Sequence, residues 1–301
     1  MKHLFLINPA AGKHDGTFDC AEIVHELCEK RGLDYKIRVS KKPGDLTRYA
    51  REAAETGEEL RIYACGGDGT LNEVVHGAAG FPNVAITNYP IGSGNDFVKI
   101  FSDPKRFLDL EALVDGEETA LDLIQCGEDH YSINICSMGL DARIAAEMAR
   151  YKKIPMVKGI GAYIASTLVN VVKGITGRFT IELNGETIEG DQTMICICSG
   201  RFYGGGFNPV PEAIPDDGLL DVLLVGPVKR YEVAKLIGPY KAGRYRELPQ
   251  WVTHHTATEL RIRTETPAVV NVDGEAIYTT DMTFKVLPRA MRFFYPRGLT
   301  Y

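Results

Sequence analysis

The apolar run Leu60-Arg-Ile-Tyr-Ala-Cys65 enters Gly66-Gly67-Asp68-Gly69-Thr70, and Leu71-Asn-Glu-Val-Val-His76 continues with helical spacing. No other stretch constrains the chain as strongly. A buried strand that feeds a helix through a glycine turn belongs to an α/β layer. Glycines in the turn permit positive φ and let a ligand approach the main chain. The N–H groups that open the helix lack intrahelical acceptors and form an anion site. An acid within such a turn would repel a bare phosphate, so Asp68 points to a metal ion between carboxylate and phosphate.

The pattern recurs twice. Asn83 to Pro90 reads as a second buried strand, followed by Ile91-Gly-Ser-Gly-Asn-Asp96 and the helical Phe97 to Phe101. At the N-terminus, Leu4-Phe-Leu-Ile7 runs into Asn8-Pro-Ala-Ala-Gly-Lys13. In one parallel sheet, three such turns converge at the carboxyl edge, where open α/β sheets bind ligands.

Asn8-Pro-Ala-Ala-Gly12, the GGDGT box and Pro90-x-Gly-Ser-Gly-Asn-Asp96 together resemble the catalytic domain of the diacylglycerol kinase superfamily, which also holds sphingosine kinases and soluble bacterial lipid kinases. Gly204-Gly-Gly206, Asp216-Asp-Gly-Leu-Leu-Asp221 and Asp273-Gly-Glu275 extend the resemblance over nearly the whole chain, in the expected order. NAD kinases share the GGDGT box but do not usually carry the others in this form.

Composition sets outer bounds. The 301 residues, 45% hydrophobic, are enough for one large or two ordinary domains. A net charge of −6 argues against a nucleic-acid partner, which normally meets a basic stripe. No apolar run approaches the roughly 20 residues of a membrane span, and the apolar stretch after Lys2 is too short for a signal-peptide core. The seven cysteines lie mostly in apolar segments and read as reduced core residues of a cytoplasmic protein.

The first part alternates strand and helix: helices at Thr17 to Arg31 (capped by Asp15 or Thr17), Pro43 to Glu55 and Pro104 to Val114, and a strand at Tyr35 to Val39. This is a doubly wound parallel pattern. From Ala120 strands dominate: Asp122 to Gln125, Tyr131 to Cys136, Phe179 to Leu183, Thr193 to Cys198, Leu220 to Val225, Glu259 to Arg263, Ala268 to Val272 and Met282 to Leu287. Asn184-Gly185 and Asp273-Gly274 mark tight hairpins. Helices are expected at Ala142 to Arg150, Gly161 to Lys173 and Tyr231 to Lys241. The fold class is therefore α/β plus β-rich: an N-terminal doubly wound α/β domain over residues 1–121, and a C-terminal β-sandwich-like domain over 122–295. The resemblance implies the same pair, with the active site in the cleft between them and residues 296–301 returning to the first domain.

The resemblance also implies ATP and Mg²⁺ as cofactors. Phosphates would be held by the backbone of Gly66, Gly67 and Gly69, by Thr70, and by Ser93, Gly94 and Asn95 of the second turn. Asn72 would touch the nucleotide or brace the loop, and Asn8 and Ser40 are further contacts. Asp68, Asp96 and Glu275 would carry the catalytic Mg²⁺, with Asp122 behind them. The Asp273-Gly-Glu275 turn would take the proton from the acceptor hydroxyl, Asp273 first and Glu275 second. A structural Mg²⁺ is implied at the Asp217 carboxylate and the carbonyls of Ile214 and Leu219. Ile214 stands where some relatives place an acid, so one carboxylate serves that turn.

The implied substrate is a lipid at a membrane surface. Diacylglycerol is the default, giving phosphatidate, and phosphatidylglycerol and a sphingoid base are the other options. The strip Tyr151 to Lys158 interleaves cations with apolar residues, as peripheral contact with an inner membrane face would need. The resemblance leaves room for a homodimer. His254-His255 reads as surface, and Trp251 as a core anchor or an interfacial residue. Two other functions stay open: phosphorylation of a soluble hydroxyl such as that of NAD, and a non-catalytic nucleotide- or lipid-binding regulator.

Overall fold

The computed structural model describes residues 1–11, 17–151 and 174–301. The expected helix at Gly161 to Lys173, nearly all of the cationic strip after Tyr151, and the Asp15 cap lie outside them. The chain divides into two units, one of Met1–Leu123 with Leu287–Tyr301 and one of Ile124–Val286. The chain therefore re-enters the first unit at Leu287, earlier than the 296–301 expected.

The first unit holds β1 (Lys2–Ile7), β2 (Tyr35–Val39), β3 (Leu60–Cys65) and β4 (Val84–Tyr89), with helices α1 (Thr17–Arg31), α2 (Asp45–Ala54), α3 (Asp68–Ala78) and α4 (Leu110–Val114). The sheet is parallel in the order β2-β1-β3-β4. Arg292 and Phe293 add a fifth parallel strand beside β4. Its inner strands β1, β3 and β4 are buried, mostly apolar runs, as helices on both faces demand, and the edge strand β2 alternates. The order reverses between β1 and β3, which makes that edge the switch point where such sheets hold ligands. Tyr63 anchors the core, stacked on Phe5 at 4.1 Å and edge-on to Phe294 at 5.0 Å.

Two local expectations change. The helix expected from Pro43 starts at Asp45, after Gly44 at φ 83°. The helix expected over Pro104 to Val114 breaks into a 3₁₀ turn, Pro104–Leu108, and α4, because the Asp109 carboxylate accepts Ala112 N–H and caps a new start at Leu110.

In the second unit lie β6 (His130–Ser132), β7 (Ile135–Gly139), β8 (Gly177–Leu183), β9 (Glu186–Gln192), β10 (Met194–Cys198), β11 (Leu220–Val225), β12 (Val252–Ala257) and β13 (Glu259–Val272), with helices α5 (Leu140–Tyr151) and α6 (Val233–Lys241). The chain enters through β5 (Glu117–Cys126) and leaves through β14 (Glu275–Tyr295). The antiparallel path runs β12-β11-β10-β7-β13-β14, and the β8–β9 hairpin branches off β13. Asn184 and Gly185, at φ 52° and 80°, turn that hairpin. The expected strands at 259–263 and 268–272 are one strand with a register shift between Arg263 and Ala268. One apolar cluster gathers Ile124, Ile181, Ile262 and Phe284, and a second gathers Leu140, Cys196, Leu223 and Tyr240, with Trp251 packed against it. Trp251 is thus a core anchor. All seven cysteines are buried and free. Among the described residues, no helix is long and apolar enough to cross a membrane.

Candidate active site

In the first unit, one row of paired residues sets the geometry. Ile7 pairs with Val39 and with Cys65, and Cys65 pairs with Tyr89. The residues that follow are Ser40, Asn8, Gly66 and Pro90, so four strand ends stop in register at the carboxyl edge. Ser40 N–H donates to Ile7 O at 2.9 Å, and Asn8 N–H to Cys65 O at 3.1 Å. The edge therefore brings together Asn8, Ser40, the GGDGT turn and the GSGND turn.

The two glycine turns are packed backbone on backbone. A Cβ at Gly92 would lie 2.4 Å from Gly67 Cα, so no side chain fits there. Asn95, at φ 50°, donates its amide to Pro90 O at 2.9 Å and Gly92 O at 2.8 Å. The Asp68 carboxylate crosses between the turns, with Oδ1 accepting Asp96 N–H at 2.6 Å and Phe97 N–H at 3.2 Å. Its Oδ2 faces Gly94, where a Cβ would lie 2.6 Å away. A side chain at position 94 would therefore crowd that oxygen.

Several expected contacts sit differently. Gly66 N–H is spent on Tyr89 O at 3.1 Å. Thr70 is buried, and its hydroxyl accepts the Asn8 side-chain amide at 3.1 Å, so it ties the GGDGT turn to the turn that follows β1. Asn72 is buried within α3. Gly69 and Ser93 are exposed, with open space around the Gly69 α-carbon. Phosphate groups can reach the backbone there. The Asp96 carboxylate is nearly buried and paired with Lys99. Asp122 is fully buried and accepts Arg289 N–H at 2.7 Å, fastening a residue held at φ 52°.

In the second unit, Asp273 and Gly274 form the two-residue loop between β13 and β14, at φ 47° and 99°. The Asp273 carboxylate accepts Ser132 Oγ–H at 2.8 Å, Ile133 N–H at 3.0 Å and Ile135 N–H at 3.0 Å. Two residues on, Glu275 is exposed. In the 211–221 loop, Asp217 Oδ1 accepts Leu219 N–H at 3.0 Å, and Ile214 and Leu219 are exposed. Its donors, one carboxylate and two carbonyls, are hard oxygens of the kind Mg²⁺ takes.

Sequence reasoning missed three features. Ser132 and the amides around Asp273 carry no local signal, because the contact spans 141 positions. His254 is not a bare surface residue: Nε2 meets Asp221 Oδ1 at 2.7 Å and Nδ1 meets the Tyr245 hydroxyl at 3.2 Å. Asp141 is bonded to the Tyr203 hydroxyl at 3.0 Å, and its carboxyl is pushed up to about 6 by burial.

Comparison with known proteins bears on the family and the fold. Residues 2–126 match the family described as the diacylglycerol kinase catalytic domain, and residues 134–295 match the YegS C-terminal NAD kinase beta sandwich-like domain. A protein of Stenotrophomonas maltophilia named "Probable lipid kinase YegS-like" is 31% identical, covering 89% of this chain and 89% of its own. A Yersinia enterocolitica protein of the same name is 31% identical, covering 97% and 96%. A diacylglycerol kinase crystal structure from Bacillus anthracis superposes with a TM-score of 0.70 at 21% identity, over 99% of this chain and 97% of that one, a likeness of fold.

Proposed function

Because the chain belongs to the YegS-like family of lipid kinases, we propose that it transfers the γ-phosphoryl group of ATP to the hydroxyl of a diacylglycerol-type lipid, giving a phosphatidate-type product. The observation that carries the reading is the register of the four strand ends. It supports a triphosphate lying along the edge from Ser40 and Asn8 to the two glycine turns, with backbone N–H groups at Gly67 and Gly69 and the Ser93 hydroxyl as donors.

Asp68 Oδ2, beside which only a glycine fits at position 94, would hold the catalytic Mg²⁺. When bound, that ion neutralises charge on the transferring phosphoryl group. Asp96 then serves to hold Lys99. Glu275, exposed at the head of β14, takes the proton from the acceptor hydroxyl. Asn8, Thr70 and Asn95 keep the turns in place. The loop at Ile214, Asp217 and Leu219 takes a second, structural Mg²⁺. The protein works from the cytoplasm against a membrane surface that presents the lipid.

The test is transfer of label from γ-³²P-ATP to a panel in mixed micelles: diacylglycerol, phosphatidylglycerol, sphingosine and, as the soluble competitor, NAD. Label in an organic-extractable product from a lipid supports the reading. Label found only in NADP overturns it.

A further inference from the structure

The Asp273-Gly274 loop is fastened more tightly than a two-residue hairpin needs. Such loops close on backbone hydrogen bonds alone. Here three donors from four consecutive positions, the Ser132 hydroxyl and the amides of Ile133 and Ile135, converge on one carboxylate. Ser132 is fully buried, and its hydroxyl oxygen in turn accepts Asn134 N–H at 3.2 Å, so its own proton is committed to Asp273. A further clasp comes from Asn271, whose Oδ1 accepts Gly274 N–H at 3.1 Å. Val272 and Glu275 are the closing pair of the β13–β14 ladder, so whatever fixes the loop fixes where Glu275 stands.

A carboxylate held by three donors is stabilised as an acceptor. Taking a proton would weaken all three of those charge-assisted hydrogen bonds, so the cradle disfavours a protonated Asp273. Glu275 is open to solvent.

We propose that Ser132 is a positioning residue for phosphoryl transfer, acting through Asp273, and that Asp273 is the brace of the turn while Glu275 accepts the proton. The inference rests on the kinase reading for its link to turnover. The cradle itself does not depend on that reading. Misplacement of a reacting group by about 1 Å costs on the order of 10²-fold in rate, so loosening one of three donors should cost about tenfold.

The full-length protein is tested with Ser132→Ala and Asp273→Asn, by lipid-phosphorylation kinetics against pH and by hydrogen exchange at the amides of Ile133 and Ile135. Ser132→Ala should lower kcat about tenfold, leave the KM for ATP within about twofold, and leave the acid limb of the pH profile in place. Asp273→Asn should raise exchange at both amides by tenfold or more. If Ser132→Ala does not fold, Ser132→Cys, which keeps a weaker donor, carries the same comparison. A Ser132→Ala acid limb moved to higher pH would make Asp273 the titrating base and overturn the proposal, because losing a donor raises a carboxylate's proton affinity. Unchanged kcat in Ser132→Ala overturns it too. If the wild type phosphorylates no lipid, the kinase reading fails, and amide exchange still decides the brace: unchanged protection in Asp273→Asn removes it.

Discussion

Asp68 Oδ1 accepts the backbone N–H of Asp96 at 2.6 Å and so joins the end of β3 to the turn that follows β4. An acid expected to serve only a metal also holds two turns together. Its substitutions therefore separate two roles. Asp68→Ala removes the acceptor for two amides and should cost about 2–4 kcal/mol of stability, since hydrogen bonds to charged groups contribute about 1.5–3 kcal/mol each and are not additive. Asp68→Asn keeps an oxygen at that place and should unfold within about 1 kcal/mol of wild type. Both should lose phosphoryl transfer by on the order of 10³-fold. Denaturant unfolding beside a transfer assay checks the pair. Full activity in folded Asp68→Asn would remove the metal role.

Gly92 and Gly69 should respond oppositely to alanine. At Gly92 the new Cβ would lie 2.4 Å from Gly67 Cα, so the two turns must part, and both stability and ATP affinity should fall. At Gly69 there is room and a helical backbone, so alanine should be neutral or stabilise by up to about 1 kcal/mol. Its methyl group would still crowd a phosphate at that amide. Calorimetric ATP titration should therefore show weaker binding in a protein that melts no lower. Unchanged affinity in Gly69→Ala would move the phosphates elsewhere.

Most strands that sequence reasoning found are those whose side chains are buried, the edge strand β2 being an exception. β3 and β11 announce themselves as apolar runs. β9 and β12 do not: each pairs with one neighbour only, and their Thr-, Glu- and His-rich sequences match that half-exposed position. The span Tyr131 to Cys136, expected as one strand, is two, interrupted at Ile133 and Asn134, where Ile133 N–H turns to Asp273. The glycine boxes were legible for the same reason that they matter, since only glycine permits the approach of Gly92 to Gly67. What could not be read was which oxygen of each acid is already engaged. Lys99 on Asp96 is three residues away and within reach of inspection, whereas Ser132 on Asp273 depends on the fold.

The two units should answer pH with opposite slopes. In the first, His3 is buried against Tyr63, at 2.9 Å from its hydroxyl, and burial pulls its imidazole down to about 4 from 6.5. The unfolded chain then binds more protons than the folded one, so this group's contribution is present above about pH 6.5 and is lost as pH falls toward 4. In the second, the Asp141 carboxyl stands near 6 against an ordinary 3.8, so the folded state binds the extra proton. Its stability is greatest below about 4 and falls as pH rises through 6. His3→Gln should flatten the first slope. Asp141→Asn should flatten the second and raise the melting temperature at pH 7. Scanning calorimetry from pH 4 to 8 checks both, and an Asp141→Asn protein that melts lower at pH 7 would contradict the second.

Asp217 both caps its own loop, through Leu219 N–H, and offers the loop's proposed metal ligand. Asp217→Asn keeps the cap and weakens the ligand. The wild type should melt higher as Mg²⁺ is added without nucleotide, by mass action on the folded state, and Asp217→Asn should show little of that rise. Identical responses would leave the 211–221 loop without a structural ion.

Glu275→Gln, measured in single-turnover transfer of γ-phosphate from ATP to diacylglycerol in mixed micelles, tests the division of labour most directly. The account predicts ATP affinity within a few-fold of wild type and transfer reduced by about 10²–10⁴, the usual contribution of a positioned base. Transfer at the wild-type rate, with Asp273→Asn inactive in the same assay although its Ile133 and Ile135 amides stay protected, would contradict it.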